Sequence, residues 1–448
     1  MSGPIVRYNA RYVLPIGTPS IEDGTVAVDG ERIAYVGTRA GAPHGADRNL
    51  GNSILLPGLV NAHCHLELTA MRGFLEGLDF RNWILRLTTA KKAVFTREML
   101  FDAARYGIAE GLRHGITTYA DTCDSGVVIE ALREMGVRGI MYQEVFGPDP
   151  AQREGSLAEL REKIRHLRPM ETSLVRLGIS PHAPYTVSDA LFSGTAMLAR
   201  AEQLPIAVHI AESQLEYDLV VGGTGAFADG LRARGITVSS RARSPIALLA
   251  SLGVLDARPL LIHCVRVDSS DISTIADARC PVAHCPVSNA KLGHGIAPVQ
   301  ELLAAGIVVG LGSDSVASNN RMDLLSEARH ASLFQRARTG TPEAMPAASA
   351  LALATLGGAR ALGIDGEIGS LEPGKSADLA AFSLDGMGPT FDPETAAVFA
   401  MAGSRASFVT VAGSPLVVDG QLVRGDVEAL EQSVDRSASK LESWLTAR

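Results

Sequence analysis

Two histidines separated by a single residue, His63 and His65 in Pro57-Gly58-Leu59-Val60-Asn61-Ala62-His63-Cys64-His65, are the residues of this chain best spaced to do chemistry. They stand near the end of an apolar, β-rich run. Alternation along a strand puts both imidazoles on one side, roughly 7 Å apart, and turns Cys64 the other way. Neutral imidazole is a common ligand for transition metals, so one cation could take both rings. A pair alone fits ordinary hydrogen bonding equally well, and the rest of the chain decides.

Other residues of the same chemical types recur at the ends of apolar runs. His209 closes Pro205-Ile206-Ala207-Val208, with Glu212 three residues on. His263 closes Leu260-Leu261-Ile262, Asp314 follows Val309-Gly310-Leu311-Gly312-Ser313, and His182 follows Ser180-Pro181. Three imidazoles (His63, His65, His209) and the Asp314 carboxylate could hold one divalent ion with a water. Such an ion lowers the pKa of a bound water towards neutrality, which is the basis of metal-assisted hydrolysis. Asp314 would take the water's proton, Glu212 would protonate a ring nitrogen of the substrate, and His263 would orient the attacking oxygen. The ligand set suits zinc and equally Fe2+ or Mn2+.

Positioning these residues requires many short strands. Eight are expected, at Leu55–His63, Ile116–Asp121, Gly139–Val145, Val175–Ser180, Ile206–Ile210, Leu260–Cys264, Pro281–Cys285 and Ile307–Gly312. Helix-like segments lie between them, including Glu98–Arg113, Val127–Met135, Ser156–Leu167 and Asp189–Ala201. The alternation predicts an α/β protein, a (β/α)8 TIM barrel whose working residues sit at the carboxyl ends of the strands. Both flanks read instead as alternating β-strands with Asp-Gly turns, at Asp29-Gly30 and Asp419-Gly420. Neither flank can bury a core alone, so together they are expected to form one small β-sandwich. The resulting division is 1–56 and 365–426 for that sandwich, 57–364 for the barrel, and 427–448 for a C-terminal helix. Gly222-Gly223-Thr224-Gly225 is too short to cradle phosphate and reads as a mobile loop after the fifth strand.

Composition narrows the function classes. The chain has 448 residues, 46% hydrophobic and 20% charged, with a formal net charge of −8. No basic surface for nucleic acid is indicated, and no run approaches the roughly 18 apolar residues of a membrane span. The start of the chain lacks an apolar signal core. Five cysteines at no zinc-finger spacing read as buried free thiols in a reducing cytoplasm. A small-molecule substrate and a homodimer are the expected partners.

His63-Cys64-His65, His182-Ala183-Pro184-Tyr185, His209-Ile210-Ala211-Glu212, His263-Cys264, His284-Cys285-Pro286-Val287-Ser288-Asn289 and Gly312-Ser313-Asp314-Ser315 stand in the order seen in the amidohydrolase superfamily. The chain resembles its deaminase and chlorohydrolase branch, which includes S-adenosylhomocysteine/methylthioadenosine deaminases, aminofutalosine deaminases and triazine hydrolases. The run Gly369-Ser370-Leu371-Glu372-Pro373-Gly374-Lys375-Ser376-Ala377-Asp378-Leu379 extends the likeness into the closing β-domain. The resemblance implies a mononuclear site held by His63, His65, His209 and Asp314, with Glu212 and His263 as the acid/base pair. No lysine in the fourth strand is available to bridge a second metal.

It also implies substrate contacts. His182 is the first candidate, with Trp83 and Phe80 as pocket walls. Adenosine-type deaminases carry an acidic ribose-gripping residue about nine positions after this Trp, where the present chain has Lys92. Glu67 could serve instead, Arg72 and Arg153 could meet a substrate carboxylate, and Asn289 belongs to the loop after the seventh strand. The implied activity is hydrolytic deamination of an aminopurine nucleoside such as aminofutalosine, S-adenosylhomocysteine or methylthioadenosine. Triazine or other N-heterocycle hydrolysis, cyclic amide cleavage and a catalytically silent scaffold stand as alternatives.

Overall fold

A computed structural model describes residues 4–447. Residues 1–3 and 448, the tips of the expected first and last segments, lie outside the described residues. The expected run Leu55–His63 divides at Gly58. Ser53–Pro57 joins a sheet made from the chain ends, and Leu59–Cys64 opens the parallel strands. A Cβ on Gly58 would stand 2.1 Å from Thr117 Oγ1, so only glycine lets the chain pass here. Its N–H donates to the Asp378 carbonyl at 2.8 Å, which pins the crossing between the two sheets.

Eight parallel strands follow the expected order in two four-stranded sheets. The first sheet holds Leu59–Cys64, Ile116–Cys123, Arg138–Val145 and Val175–Pro181; the second holds Ala207–Ile210, Leu260–His263, Val282–His284 and Val309–Leu311. Single parallel bridges, Ile179 with Ile206 and Cys64 with Asp314, link the two sheets at either side. Both faces are buried. Val60, Ala62, Ala120, Ile140, Ala207 and Ile262 share one apolar cluster, while their alternates Leu59, Tyr119, Met141, Val208 and Leu261 pack into another with the helices.

The four expected helices are present as Arg97–Arg113, Val127–Met135, Arg153–Leu167 and Asp189–Glu202. A further helix, Phe80–Val94, starts where the Asp79 side chain accepts the Asn82 N–H at 3.0 Å. The glycine-rich segment expected to be a loose loop is helical on both sides. Asp218–Gly222 and Gly225–Arg232 flank Gly223 and Thr224, Gly223 and Gly225 are both in the left-handed region, and Leu219 and Phe227 pack with Phe80 and Tyr185.

The two ends of the chain meet in one nine-stranded mixed sheet. Ser53–Pro57 pairs antiparallel with Leu379–Ser383, bringing Leu55 opposite Ala381. Asp419 and Gly420 are both left-handed at the turn between Ser414–Val418 and Gln421–Leu422, as a two-residue hairpin requires. The chain closes with the helix Val427–Thr446, against an expected helical tail over 427–448. Among the described residues no helix is long and apolar enough to cross a membrane. All five cysteines are free and buried.

Candidate active site

The ligand-type residues expected at strand ends converge there. His63 lies in the first parallel strand and His65 one residue beyond it. His209 lies in the fifth strand, His263 ends the sixth, and Asp314 follows the eighth. Ala211, His263, Cys264 and Asp314 all have positive φ, so the chain turns sharply at each of these ends. Strain of this kind persists only where surrounding packing over-determines it.

Potential donor atoms of His63, His65 and His209 lie within 4.8 Å of one another, as do those of His63, His263 and Asp314. His63 Nε2 and His65 Nε2 stand 3.3 and 3.6 Å from Asp314 Oδ1, and His65 Nε2 is 3.3 Å from His209 Nε2. Carbonyl groups fix the outward edges of two rings. His65 Nδ1 is 2.8 Å from the Thr122 carbonyl and His209 Nδ1 is 3.2 Å from that of His182. An Nδ1–H donated outward to a carbonyl fixes the tautomer and leaves each Nε2 lone pair facing inward, as a ring that binds a metal through Nε2 requires.

Electrostatics favour a cation at this point. Burial holds the imidazoles of His63 and His209 below their ordinary range and takes His65 down to about 3, so the rings are neutral near pH 7. Burial works against ionisation of Asp314, but His63 and His263 outweigh it and keep the carboxyl well below its usual range. Its Oδ1 accepts the Ser315 N–H at 2.7 Å, and Ser288 and Ser318 hydroxyls donate to Oδ2. Neutral lone pairs facing a carboxylate, with neither ring nitrogen of buried His63 hydrogen-bonded, form a donor set that a divalent cation satisfies.

Glu212 faces this cluster from three residues past His209. Its Oε1 is 3.6 Å from His263 Nε2 and 3.3 Å from His294 Nε2. Burial pushes its carboxyl up, yet the two histidines pull it down further, so the net position is below normal. Behind it, the buried Glu216 carboxylate accepts the N–H groups of Ala211 and Glu212, each at 2.8 Å. His263 Nδ1 lies 2.9 Å from Asn289 Oδ1, which directs Nε2 towards Glu212.

These groups open onto a cavity of about 520 Å³. Of the expected substrate contacts, His182, Glu67 and Trp83 line it, as do Phe80 and Lys92. The Glu67 carboxylate is bound by Lys91 and Ser125, with Lys91 also paired to Asp124. Asn289 stands behind His263, outside the lining. Arg153 also lies outside it, at a helix start with its Nε on the Ala190 carbonyl at 3.2 Å. Arg72 turns away to Glu110 and the Asn320 carbonyl. His284 is buried inside the seventh strand, also off the cavity. Nothing in the sequence singles out His294, Glu216 or Ser288 as part of this site, save that the spacing His209-x-x-Glu212-x-x-x-Glu216 carries a signal for the second of them. His294 has none, because its loop meets Glu212 only in the fold.

The description "Amidohydrolase family" fits residues 54–423 of this chain. A 5-methylthioadenosine/S-adenosylhomocysteine deaminase from Moorella thermoacetica is 33% identical over 435 residues, covering 96% of this chain and 97% of the relative. A zinc-bound adenosine deaminase from Xanthomonas campestris superposes with a TM-score of 0.87 at 30% identity, over 98% of both chains. A zinc-complexed atrazine chlorohydrolase from Arthrobacter aurescens TC1 gives 0.83 at 26% identity, over 97% of this chain and all (100%) of the other. The likeness runs through every strand that delivers a ligand-type residue, and the chain belongs to the amidohydrolase family.

Proposed function

We propose that this protein is a metal-dependent aminohydrolase that removes the exocyclic amino group of an aminopurine nucleoside. The observation that carries the reading is the meeting of His63, His65, His209 and Asp314 at strand ends beside a carboxylate, Glu212, placed between two imidazoles. The family and the deaminases among its relatives support it. His63, His65, His209 and Asp314 would hold one ion, for which zinc is the first candidate from the zinc-bound neighbour and Fe2+ or Mn2+ the others. When bound there, the ion polarises a water so that it attacks carbon near neutral pH.

The chain's own residues handle the protons. Glu212 takes up one proton of the attacking water and delivers it to the ring nitrogen next to the carbon under attack. Asp314 Oδ1, turned towards the imidazoles of His63 and His65, accepts the second proton from the attacking oxygen and passes it to the amino group, which leaves as ammonia. His263, its tautomer set by Asn289, donates from Nε2 once charged, or accepts there when neutral, and steadies the developing charge. His182 and Trp83 bound the heterocycle, and Glu67, braced by Lys91 and Ser125, contacts the remainder of the substrate.

The fold completes the proposal. The two four-stranded sheets are read as staves of one (β/α)8 barrel, supported by the parallel bridges at both seams. The terminal sheet is read as a β-sandwich wrapped over Tyr8, Val26, Leu55 and Phe408, with domain limits 1–56, 57–364, 365–426 and 427–448. A homodimer and a cytoplasmic location belong to the same reading; the buried free thiols support the latter.

Ammonia release is the test, on protein of measured metal content, with adenosine, methylthioadenosine, S-adenosylhomocysteine, aminofutalosine, guanine and melamine. Activity on an adenine compound is expected, with Glu212→Gln losing it by at least 1,000-fold (about 4 kcal/mol of barrier) and keeping its metal. Release from melamine alone favours the triazine reading. Silence with metal bound overturns the aminopurine assignment, and metal lost from the Glu212 variant overturns its role as proton donor.

A further inference from the structure

Glu212 has two imidazoles on one oxygen, and only one is accounted for by the chemistry above. His294 Nε2 stands 3.3 Å from Glu212 Oε1, closer than His263 Nε2 at 3.6 Å. The side chain is almost wholly buried, at 4% exposure, and among the described residues its Nε2 makes no hydrogen bond of ordinary geometry, leaving the Glu212 carboxylate as the polar group it faces. A buried ring nitrogen that spends its one interaction on a carboxylate is held there for that carboxylate.

The loop that carries it is built for the placement. Gly293 and Gly295 on either side are left-handed, which lets the ring point inward from a tight bend after the helix Pro286–Lys291. The His294 N–H donates to the Asn289 carbonyl at 2.8 Å, and the Asn289 side chain holds His263 at 2.9 Å. One residue thus fixes both rings that converge on Glu212. Phe80, a wall of the cavity, packs edge-on against the His294 ring with centroids 4.5 Å apart and closes it from water.

We propose that His294 is a positioning residue for the acid/base carboxylate. Its Nε2–H donates to Glu212 Oε1, fixes the rotamer that faces the cavity, and stabilises the carboxylate before it takes up a proton. A hydrogen bond to the charged form of a carboxyl favours that form, and a charge-assisted bond in a water-poor site is worth more than one at the surface. The donor also leaves Glu212 with one free oxygen, Oε2, for the substrate's ring nitrogen. The proposal rests on the deaminase reading for its kinetic readout, and on geometry alone for its structural one.

The test compares His294→Leu, which keeps bulk without a donor, with His294→Gln, whose amide N–H reaches about as far as Nε2. His294→Leu is expected to lower kcat by 10- to 100-fold with KM within twofold and metal content unchanged. His294→Gln is expected to restore at least a third of the wild-type kcat. In a Glu212→Gln background, His294→Leu should add less than a twofold further loss, because it acts through the group already removed. Crystal structures of the wild type and His294→Leu supply a readout that needs no substrate: the Glu212 carboxylate should leave its position in the variant. Equal losses for Leu and Gln, an additive loss in the Glu212→Gln background, or an unmoved Glu212 carboxylate overturns the proposal. If the wild-type protein deaminates nothing, the deaminase reading fails, and the crystal comparison still decides the placement of Glu212.

Discussion

At the residue scale, His284 shows how far burial alone sets the chemistry of this interior. It lies in the seventh parallel strand at 1% exposure, and neither ring nitrogen is hydrogen-bonded. Burial, reinforced by nearby His263, takes its pKa down to about 3, against about 6.5 for a solvated imidazole. Between those values the unfolded chain binds a proton at this position that the folded chain does not. Stability therefore falls as pH drops from about 6.5 towards 3, and this contribution is fully present only above that window. His284→Leu should make the dependence shallower by up to about 1.4 kcal/mol per pH unit, measured from denaturant midpoints at several pH values. An unchanged slope would show that His284 binds its proton in the folded state too. The same scale marks the limit of the sequence. Residues of metal-ligand type could be read from their places at the ends of apolar runs, since strand ends are where a parallel fold exposes chemistry. Their partners could not. His294 and Ser288 meet Glu212 and Asp314 across loops and helix starts whose paths no local pattern specifies.

Element by element, type was more legible than boundary. Hydrophobic periodicity located all eight parallel strands and four of the helices between them, because burial on both faces forces continuous apolar runs. It ran one strand too far at Gly58, where an apolar sequence continues unbroken but the chain changes sheets. The reason is steric. Thr117 comes so close that a Cβ at position 58 would lie 2.1 to 2.7 Å from its side-chain atoms. Thr117 is fully buried and β-branched, so it cannot swing aside. Gly58→Ala is therefore expected to destabilise the fold by about 1–3 kcal/mol, the usual cost of overpacking. Thr117→Ala in the same chain should recover part of that loss, since it removes the two nearest atoms. Chemical denaturation of both variants checks it; a Gly58→Ala protein as stable as wild type would mean the two sheets have room to separate here. The helix Phe80–Val94 escaped notice for a different reason: it buries only Phe80 and Ala90, so its apolar stripe is thin, yet it supplies one wall of the cavity.

On the scale of the whole molecule, the question is what holds the terminal sheet to the parallel strands. The sequence indicated that both chain ends belong together, because neither held enough strands to bury a core. It did not indicate the fastening, which is a buried charge cluster at the end of the strands away from the cavity. Arg138, the first residue of the third parallel strand, donates to Asp378 at 3.0 and 3.3 Å and to Ser376 Oγ at 3.0 Å. Asp378 in turn accepts the Ala412 N–H at 2.8 Å, so one carboxylate joins three segments of the chain. Both side chains are under one-tenth exposed. Without Asp378, Arg138 keeps only Glu367, half-exposed at 3.4 Å, and Ser376, so the loss falls at the low end of the range of about 3–5 kcal/mol that an orphaned buried charge costs, whereas replacing both partners with apolar groups costs far less. Asp378→Ala should therefore lower unfolding stability by that amount, and Arg138→Met with Asp378→Leu should lose less than Asp378→Ala by itself. Neither change touches a residue lining the cavity, so kcat of the folded fraction should stay within twofold of wild type. Urea denaturation with activity measured in parallel separates the outcomes. A large fall in kcat at unchanged stability would mean that the terminal sheet acts on the site, and that its attachment to the parallel strands is part of how Glu212 and its neighbours are held.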